Sequence, residues 1–299
     1  MMQGVIVKAL SGFYYVDTGE EIICCRARGR FRKEKIVPLV GDYVTVREAG
    51  PGQGVLHEIL PRKNVFIRPP VANIDLMVML ASAVIPVTEP YLIDRVAVIA
   101  LHNGVKPVLC INKTDLDPGE ELFSIYARSG IPVIRTSAVT GEGIEELREA
   151  IAGKICAFTG NSGVGKSSVL NALYPEFSTA VGEVSEKLGR GRHTTRHVEM
   201  FRLPNGAVIA DTPGFSSFDT DRMELMEEQE LQHCFPEFKS YLGQCRFLDC
   251  AHLKEDGCAV LGAVGSGAIH ESRYMSYARL YQQVSQLKAW EIKPQQNKI

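Results

Sequence analysis

The spacing of apolar residues changes once along the chain. From about Gln3 to Ile67 they fall in short runs, "GVIVKAL", "FYYVD", "EIICCRA", "DYVTVR" and "VLHEI", separated by Ser11-Gly12, Thr18-Gly19 and Pro51-Gly52. Runs of this length bounded by turn formers predict β-strands, and five in about 65 residues predict a small barrel of the oligonucleotide-binding type. Such a barrel serves nucleic acid or a protein partner equally well, so the strand count names no ligand.

Beyond Arg68-Pro69-Pro70 the pattern becomes α/β. Continuous apolar runs at "IDLMVMLA", "KPVLCIN", "IPVIRTS" and "KICAFTG" alternate with helical patterns at "EPYLIDRVAVIALHN", "GEELFSIYARSG" and "GIEELREAIAG". A strand that is apolar throughout is buried on both faces, which predicts a parallel sheet with helices on each side, completed by "VEMFRL" and "AVIADTPG". After about Asp219 the chain turns acidic and helical and later reads "ESRYMSYARLYQQVSQLKAW". The expected fold is multidomain: an oligonucleotide-binding-type β-barrel over residues 1–68, an α/β domain over 69–219 and a helical domain over 220–299.

Composition changes this picture in three places. With 299 residues, 45% of them apolar, each unit has enough material for its own core. The net charge of -2 conceals a local excess: "RARGRFRKEK" places Arg26, Arg28, Arg30, Arg32, Lys33 and Lys35 beside the single acid Glu34, in the loop expected between the third and fourth strands. Alone, that run reads as a solvated basic loop. No basic start leads into an apolar leader, and no apolar run approaches bilayer length, so a cytoplasmic protein without membrane contact is expected. Eight cysteines in that setting point to metal binding or core packing rather than disulfides.

The segment Gly160-Asn161-Ser162-Gly163-Val164-Gly165-Lys166-Ser167 fits G-x-x-x-x-G-K-[ST] between an expected strand and an expected helix. Its glycines let backbone N–H groups turn inward around phosphates, assisted by the positive end of the helix that Ser168 also begins. Lys166 is expected on the β- and γ-phosphates and the Ser167 hydroxyl on Mg²⁺. The loop does not tell ATP from GTP.

Asn112-Lys113-Thr114-Asp115, at the end of a strand, supplies the distinction. The Asp115 carboxylate would accept from guanine N1–H and the exocyclic amine, a pair that adenine lacks. Asn112 would brace the loop, and the Lys113 stem would lie along the base. Thr136-Ser137-Ala138 fits a companion loop whose backbone N–H meets guanine O6. An ATP-using kinase is disfavoured by the same residues. The base-reading motifs precede the phosphate loop, which is followed by "RHTT" and "DTPG", the reverse of the usual order of the two halves. This is a circular permutation, and a site assembled at one edge of the sheet tolerates it.

Near the C-terminus Cys245, Cys250, His252 and Cys258 give C-x₄-C-x-H-x₅-C, three thiolates and an imidazole suited to a closed, structural Zn²⁺ site. His233 and Cys234 are the nearest rival ligands. Cys24, Cys25, Cys110 and Cys156 lie in apolar strands and are expected in the core.

The small barrel, the permuted motifs, "GRHTT" and the cysteine motif together resemble the ribosome small-subunit-dependent GTPase A (RsgA) family over essentially the whole length. The resemblance implies a monomeric assembly factor that binds the 30S subunit and its 16S rRNA late in maturation and hydrolyses GTP to GDP when stimulated by it. Asp211 and Gly214 of "DTPG" would serve Mg²⁺ and the γ-phosphate. Thr195, or its neighbour Thr194, would complete the Mg²⁺ shell.

The position after Asp-x-x-Gly holds Phe215, whose ring cannot orient water by hydrogen bonding. His193 is then the candidate catalytic group, and the family's use of this position supports it. Its alternative is contact with RNA beside Arg190, Arg192 and Arg196. A competing reading of the whole chain is an RNA-binding adaptor that holds GTP as a structural ligand. Because the chain after "DTPGF" runs into the cysteine-rich region, that region is expected to be tethered to the nucleotide sensor.

Overall fold

Five strands close the N-terminal barrel in the computed structural model, which describes residues 1–67, 69–175, 198–211 and 226–286. These are β1 (Met2–Leu10), β2 (Phe13–Asp17), β3 (Ile22–Ala27), β4 (Tyr43–Gly50) and β5 (Gln53–Ile59). They pair in the order β1-β2-β3-β5-β4 and return to β1, antiparallel except for β3 with β5. Val16, Ile23, Val44, Val46 and Leu56 fill the interior. Gly54 permits the close packing there, since a Cβ on it would stand 2.6 Å from Val46 Cγ1.

The basic run is not loop throughout: α1 (Gly29–Lys33) forms within it. Three of its cations are held on the barrel wall: Arg28 Nη1 lies 2.9 Å from His57 Nδ1, Arg30 Nη2 donates to the His57 carbonyl at 3.3 Å, and the Arg26 guanidinium lies 4.7 Å from the centre of the Phe13 ring. A hairpin of β6 (Val65–Ile67) and β7 (Pro70–Ala72), absent from the sequence expectation, follows the barrel. A proline at the first residue of a short strand costs no needed donor. Asn73, in the left-handed region at φ 60°, accepts from the Lys63 N–H at 2.8 Å and donates to the Gly41 carbonyl at 2.9 Å, fixing the exit from the hairpin.

The second sheet contains β8 (Leu76–Ser82), β9 (Lys106–Asn112), β10 (Val133–Thr136), β11 (Ile155–Thr159), β12 (Glu199–Arg202) and β13 (Val208–Asp211). Their order is β10-β9-β8-β11-β13-β12, parallel except for β12 against β13. The connections include α2 (Pro90–His102), α3 (Glu120–Tyr126), α4 (Ile144–Ile151) and α5 (Lys166–Leu173). Strand β8 shows why its run is apolar throughout. Met77, Met79 and Ala81 pack in the core with Ile93, Val96 and Leu122 of α2 and α3. Leu76, Val78 and Leu80 pack with Ile144, Leu147 and Val169 of α4 and α5. Successive side chains thus feed opposite layers, as a two-sided parallel sheet requires.

Barrel and sheet are continuous. Lys8 of β1 pairs with Glu199 of β12 in register and donates from Nζ to Glu199 Oε1 at 2.8 Å, and Arg202 Nε donates to Asp17 Oδ2 at 2.7 Å. The C-terminal region holds α6 (Glu228–Leu231), two 3-10 turns (Gln232–Cys234 and Pro236–Phe238), α7 (Ala259–Gly265) and α8 (Glu271–Val284). It packs on α2, for Tyr91 and Val98 share an apolar cluster with Leu231, Phe235, Phe238, Tyr277 and Leu280. Among the described residues no helix is long and apolar enough to cross a membrane.

Candidate functional site

The phosphate loop connects the buried strand β11 to α5, and its glycines meet specific constraints. Gly163 and Gly165 have φ of 85° and 95°, a region in which a side chain is strained. A Cβ on Gly165 would also collide with Asn112 Nδ2, and one on Gly160 would come within 2.7 Å of the Leu80 carbonyl oxygen. Val164 is buried and anchors the loop, Asn161 and Lys166 are half-buried, and Ser162, Ser167 and Ser168 are exposed. Hydroxyls and N–H groups at the start of α5 suit an anion and its counter-ion.

Strand β9 ends beside this loop. Asn112 is buried and donates from Nδ2 to the Val164 carbonyl at 2.9 Å, while its Oδ1 accepts from Thr136 Oγ1 at 3.3 Å. Lys113 takes the left-handed region at φ 71°, which turns the chain and sends Nζ to the Ile85 carbonyl at 2.8 Å. Asp115 is exposed, with Oδ1 accepting from Ser137 Oγ at 2.6 Å. Ser137 is buried and half-buried Ala138 packs against the core. Thr114 joins the two loops again, its N–H donating to the Thr136 carbonyl at 3.1 Å and its hydroxyl to Glu142 Oε2 at 2.8 Å. The structure therefore brings together the segments 112–115, 136–138 and 160–168. A carboxylate held at one oxygen and exposed at the mouth can receive two donors from a planar base.

His193, Thr194, Thr195, Gly214 and Phe215, with Arg190, Arg192 and Arg196, lie outside the described residues. Asp211 ends β13, the strand beside β11, and its side chain is likewise not described.

The C-terminal cluster is compact: donor atoms of Cys245, Cys250, His252 and Cys258 all lie within 4.8 Å of one another. His252 Nε2 is 2.9 Å from Gln232 Oε1, an acceptor, so the ring proton sits on Nε2 and Nδ1 faces the thiols, 3.5 Å from Cys245 Sγ and 3.3 Å from Cys258 Sγ. Backbone N–H groups of Ala259 and Leu261 donate to Cys245 Sγ and Cys258 Sγ, an environment that favours thiolates on a cation. Burial pushes the Cys250 thiol up to about 12, so a metal would displace its proton on binding. Three sulfurs and one imidazole nitrogen at these separations fit tetrahedral Zn²⁺.

Neither rival ligand joins the cluster. Cys234 is buried in the apolar core, its thiol pushed up to about 12 by burial, and His233 is exposed. Burial likewise pushes Cys110 and Cys156 up to about 12 and Cys25 to about 11.

Several supporting residues carry no sequence signal. Glu255 accepts from the N–H groups of Ala251, Leu253 and Lys254 and shapes the turn after Cys250. Burial works to raise its carboxyl pKa, but those backbone donors outweigh it and hold the group below its ordinary value. Arg273 is fully buried and pairs with Asp94 of α2 and with Glu237, whose Oε1 is 2.7 Å from Arg273 Nε. Desolvation opposes its charge, and the two carboxylates more than restore it, raising its pKa.

Residues 59–221 match the RsgA GTPase family, and residues 3–56 match the RsgA N-terminal domain. The chain is 46% identical to the small ribosomal subunit biogenesis GTPase RsgA of Caldanaerobacter subterraneus subsp. tengcongensis, covering 95% of this chain and 96% of that protein. With the protein of the same name from Bacillus cereus (strain ATCC 10987 / NRS 248) it shares 44% identity, covering 96% of this chain and 99% of the relative. Of solved structures, YjeQ from Thermotoga maritima superposes with a TM-score of 0.82 at 36% identity, covering 96% of this chain and 99% of that one. YloQ, described as a circularly permuted GTPase, superposes with a TM-score of 0.78 at 38% identity, covering 95% of each chain.

Proposed function

The chain belongs to the RsgA GTPase family and is a GTP hydrolase, and from that premise we propose that it acts in the cytoplasm on the 30S ribosomal subunit late in its assembly, hydrolysing GTP when that subunit stimulates it. The observation that carries this reading is the joining of a guanine-reading loop to a phosphate loop by Asn112 and Val164, in a chain whose relatives bear a small-subunit biogenesis name.

Each part has a chemical role in this reading. Asp115 selects guanine, Asn112 and Ser137 hold the reading loop, Lys113 lies along the base, and the Ala138 N–H meets O6. Residues Gly160 to Ser168 cradle the phosphates, with Lys166 on the transferred group, and the Gly214 N–H meets the γ-phosphate. Mg²⁺, held by the Ser167 hydroxyl, by Asp211 through water and by Thr195, would neutralise charge on the β- and γ-phosphates. His193 takes over the water-orienting task that Phe215 cannot perform. Subunit-stimulated turnover at a near-normal rate in His193→Ala would remove this histidine from the mechanism.

The cations on the barrel wall and the zinc-stabilised C-terminal region are the arms that meet 16S rRNA. Divisions after residues 68 and 219 separate barrel, GTPase and C-terminal units, and the protein works as a monomer. Co-sedimentation with purified small subunits tests the partner. Binding is expected with a non-hydrolysable GTP analogue, weaker with GDP, and falling steeply as salt rises. Equal pelleting with and without subunits would contradict it.

A further inference from the structure

Helix α8 grips the beginning of α2. The Arg279 guanidinium stacks 3.6 Å from the centre of the Tyr91 ring and reaches Glu89 Oε1 at 3.3 Å, and the Tyr91 hydroxyl donates to Gln283 Oε1 at 2.8 Å. Three residues further along α2, buried Asp94 pairs with Arg273 and accepts from the Tyr126 hydroxyl at 2.6 Å. Tyr126 also bonds the Pro90 carbonyl at 3.0 Å. Glu89, Pro90, Tyr91 and Asp94 are therefore all fastened; Glu89 is the cap residue before α2 and the other three lie in its first turns.

The loop entering this helix touches both nucleotide loops. It is closed at its ends by Thr88, whose N–H donates to the Ser82 carbonyl and whose Oγ1 accepts from the Ser82 N–H, each at 3.0 Å. Between them, the Ile85 carbonyl holds Lys113 Nζ. Pro86 lies against the phosphate loop, since a Cβ on Gly163 would come within 3.2 Å of Pro86 Cδ. Displacing the start of α2 moves a short, closed loop whose contacts are the lysine expected under the base and a glycine expected beside the phosphates.

We propose that Arg279 and Arg273 are positioning residues for guanine nucleotide: by fixing the start of α2 they set loop 83–88, and through it Lys113 and Gly163. The proposal rests on the reading of residues 112–115 and 160–168 as the nucleotide site. It gives the zinc-bearing region a route to that site through α2, distinct from the expected tether after Asp211. A partner that pulls on α8 would change how long nucleotide stays bound.

The test is release of a fluorescent GDP from the zinc-loaded full-length protein. Arg279 is exposed, so Arg279→Ala should fold with an unchanged melting temperature. It should release GDP roughly three- to thirty-fold faster, the range that packed networks transmit, with a raised KM for GTP and an unchanged kcat. Arg279→Lys keeps a cation over Tyr91 and near Glu89 and should recover most of the loss. In a Lys113→Met background the effect of Arg279→Ala should shrink without vanishing, because the Lys113 arm is cut while the contact of Pro86 with Gly163 remains. Arg273→Lys, which loses the two-carboxylate fork, should act in the same direction, and if it fails to fold Arg279 decides alone. Unaltered GDP release in Arg279→Ala, or a fully additive effect in the Lys113→Met background, would overturn the proposal. Failure of the wild-type protein to bind GDP would instead remove the nucleotide-site reading beneath it.

Discussion

Asn112 donates from Nδ2 to the carbonyl oxygen of Val164 at 2.9 Å, joining two loops that stand 52 residues apart in the chain. The bond is buried and lies between the carboxyl ends of β9 and β11, so chain order is irrelevant to it. Asn112→Ala leaves the Val164 carbonyl without this donor and frees the phosphate loop from the base-reading loop. The expected cost is about 1–3 kcal/mol of GDP affinity, roughly five- to 150-fold, measurable by titration calorimetry. Unchanged affinity would mean that the two loops bind independently.

Asp115 makes the sharper prediction for selectivity. An asparagine there presents a donor to a base carrying a carbonyl where guanine carries its amine. Asp115→Asn should lose about 100-fold or more in GDP affinity and gain affinity for xanthosine diphosphate, read by competition against a fluorescent nucleotide. Loss of both nucleotides would point to a folding defect rather than a change in recognition.

Metal removal should act regionally. With Cys245, Cys250, His252 and Cys258 as the ligand set, the protein should carry one zinc per chain, and zinc should be lost as pH falls because protons compete for the same sulfurs. Glu255 adds to that trend. Its carboxyl is held below its ordinary 4.5, so it stabilises the fold fully above that value and the contribution disappears as pH falls through the lower folded value. Hydrogen exchange after complete chelation should show protection lost across α6 to α8 and retained in β8 to β11. Full protection of α6 to α8 in zinc-free protein would contradict a structural role.

Arg273 should dominate the stability of the seam between α2 and α8. Arg273→Met leaves Asp94 and Glu237 buried without their cation, a change that costs about 3–5 kcal/mol in comparable buried pairs. Thermal unfolding should register it as a large fall in melting temperature. Replacing Asp94 and Glu237 with apolar residues in the same chain should recover much of the loss.

The strands and the nucleotide loops were legible because each rests on local information. Apolar runs set β8 to β11, and glycine spacing with a terminal lysine and serine identifies a phosphate loop wherever it falls in the order. Arg273 was not legible for a corresponding reason. An arginine in an amphipathic helix reads as solvated, and the partners that bury it stand 179 and 36 residues away. The same holds for Lys8 and Glu199, whose pairing joins barrel to sheet across 191 residues. The helix inside the basic run and the β6–β7 hairpin were missed because short elements take their stability from the surfaces they pack on rather than from propensity.

GTP turnover measured alone and with increasing purified 30S subunit tests the central claim most directly. The reading predicts slow turnover by the protein alone, since Phe215 offers no hydrogen bond to the attacking water, and a rise to saturation as subunit is added. A rate that stays flat while the protein demonstrably binds both GTP and the subunit would contradict it, and would make the chain an adaptor that holds GTP as a structural ligand.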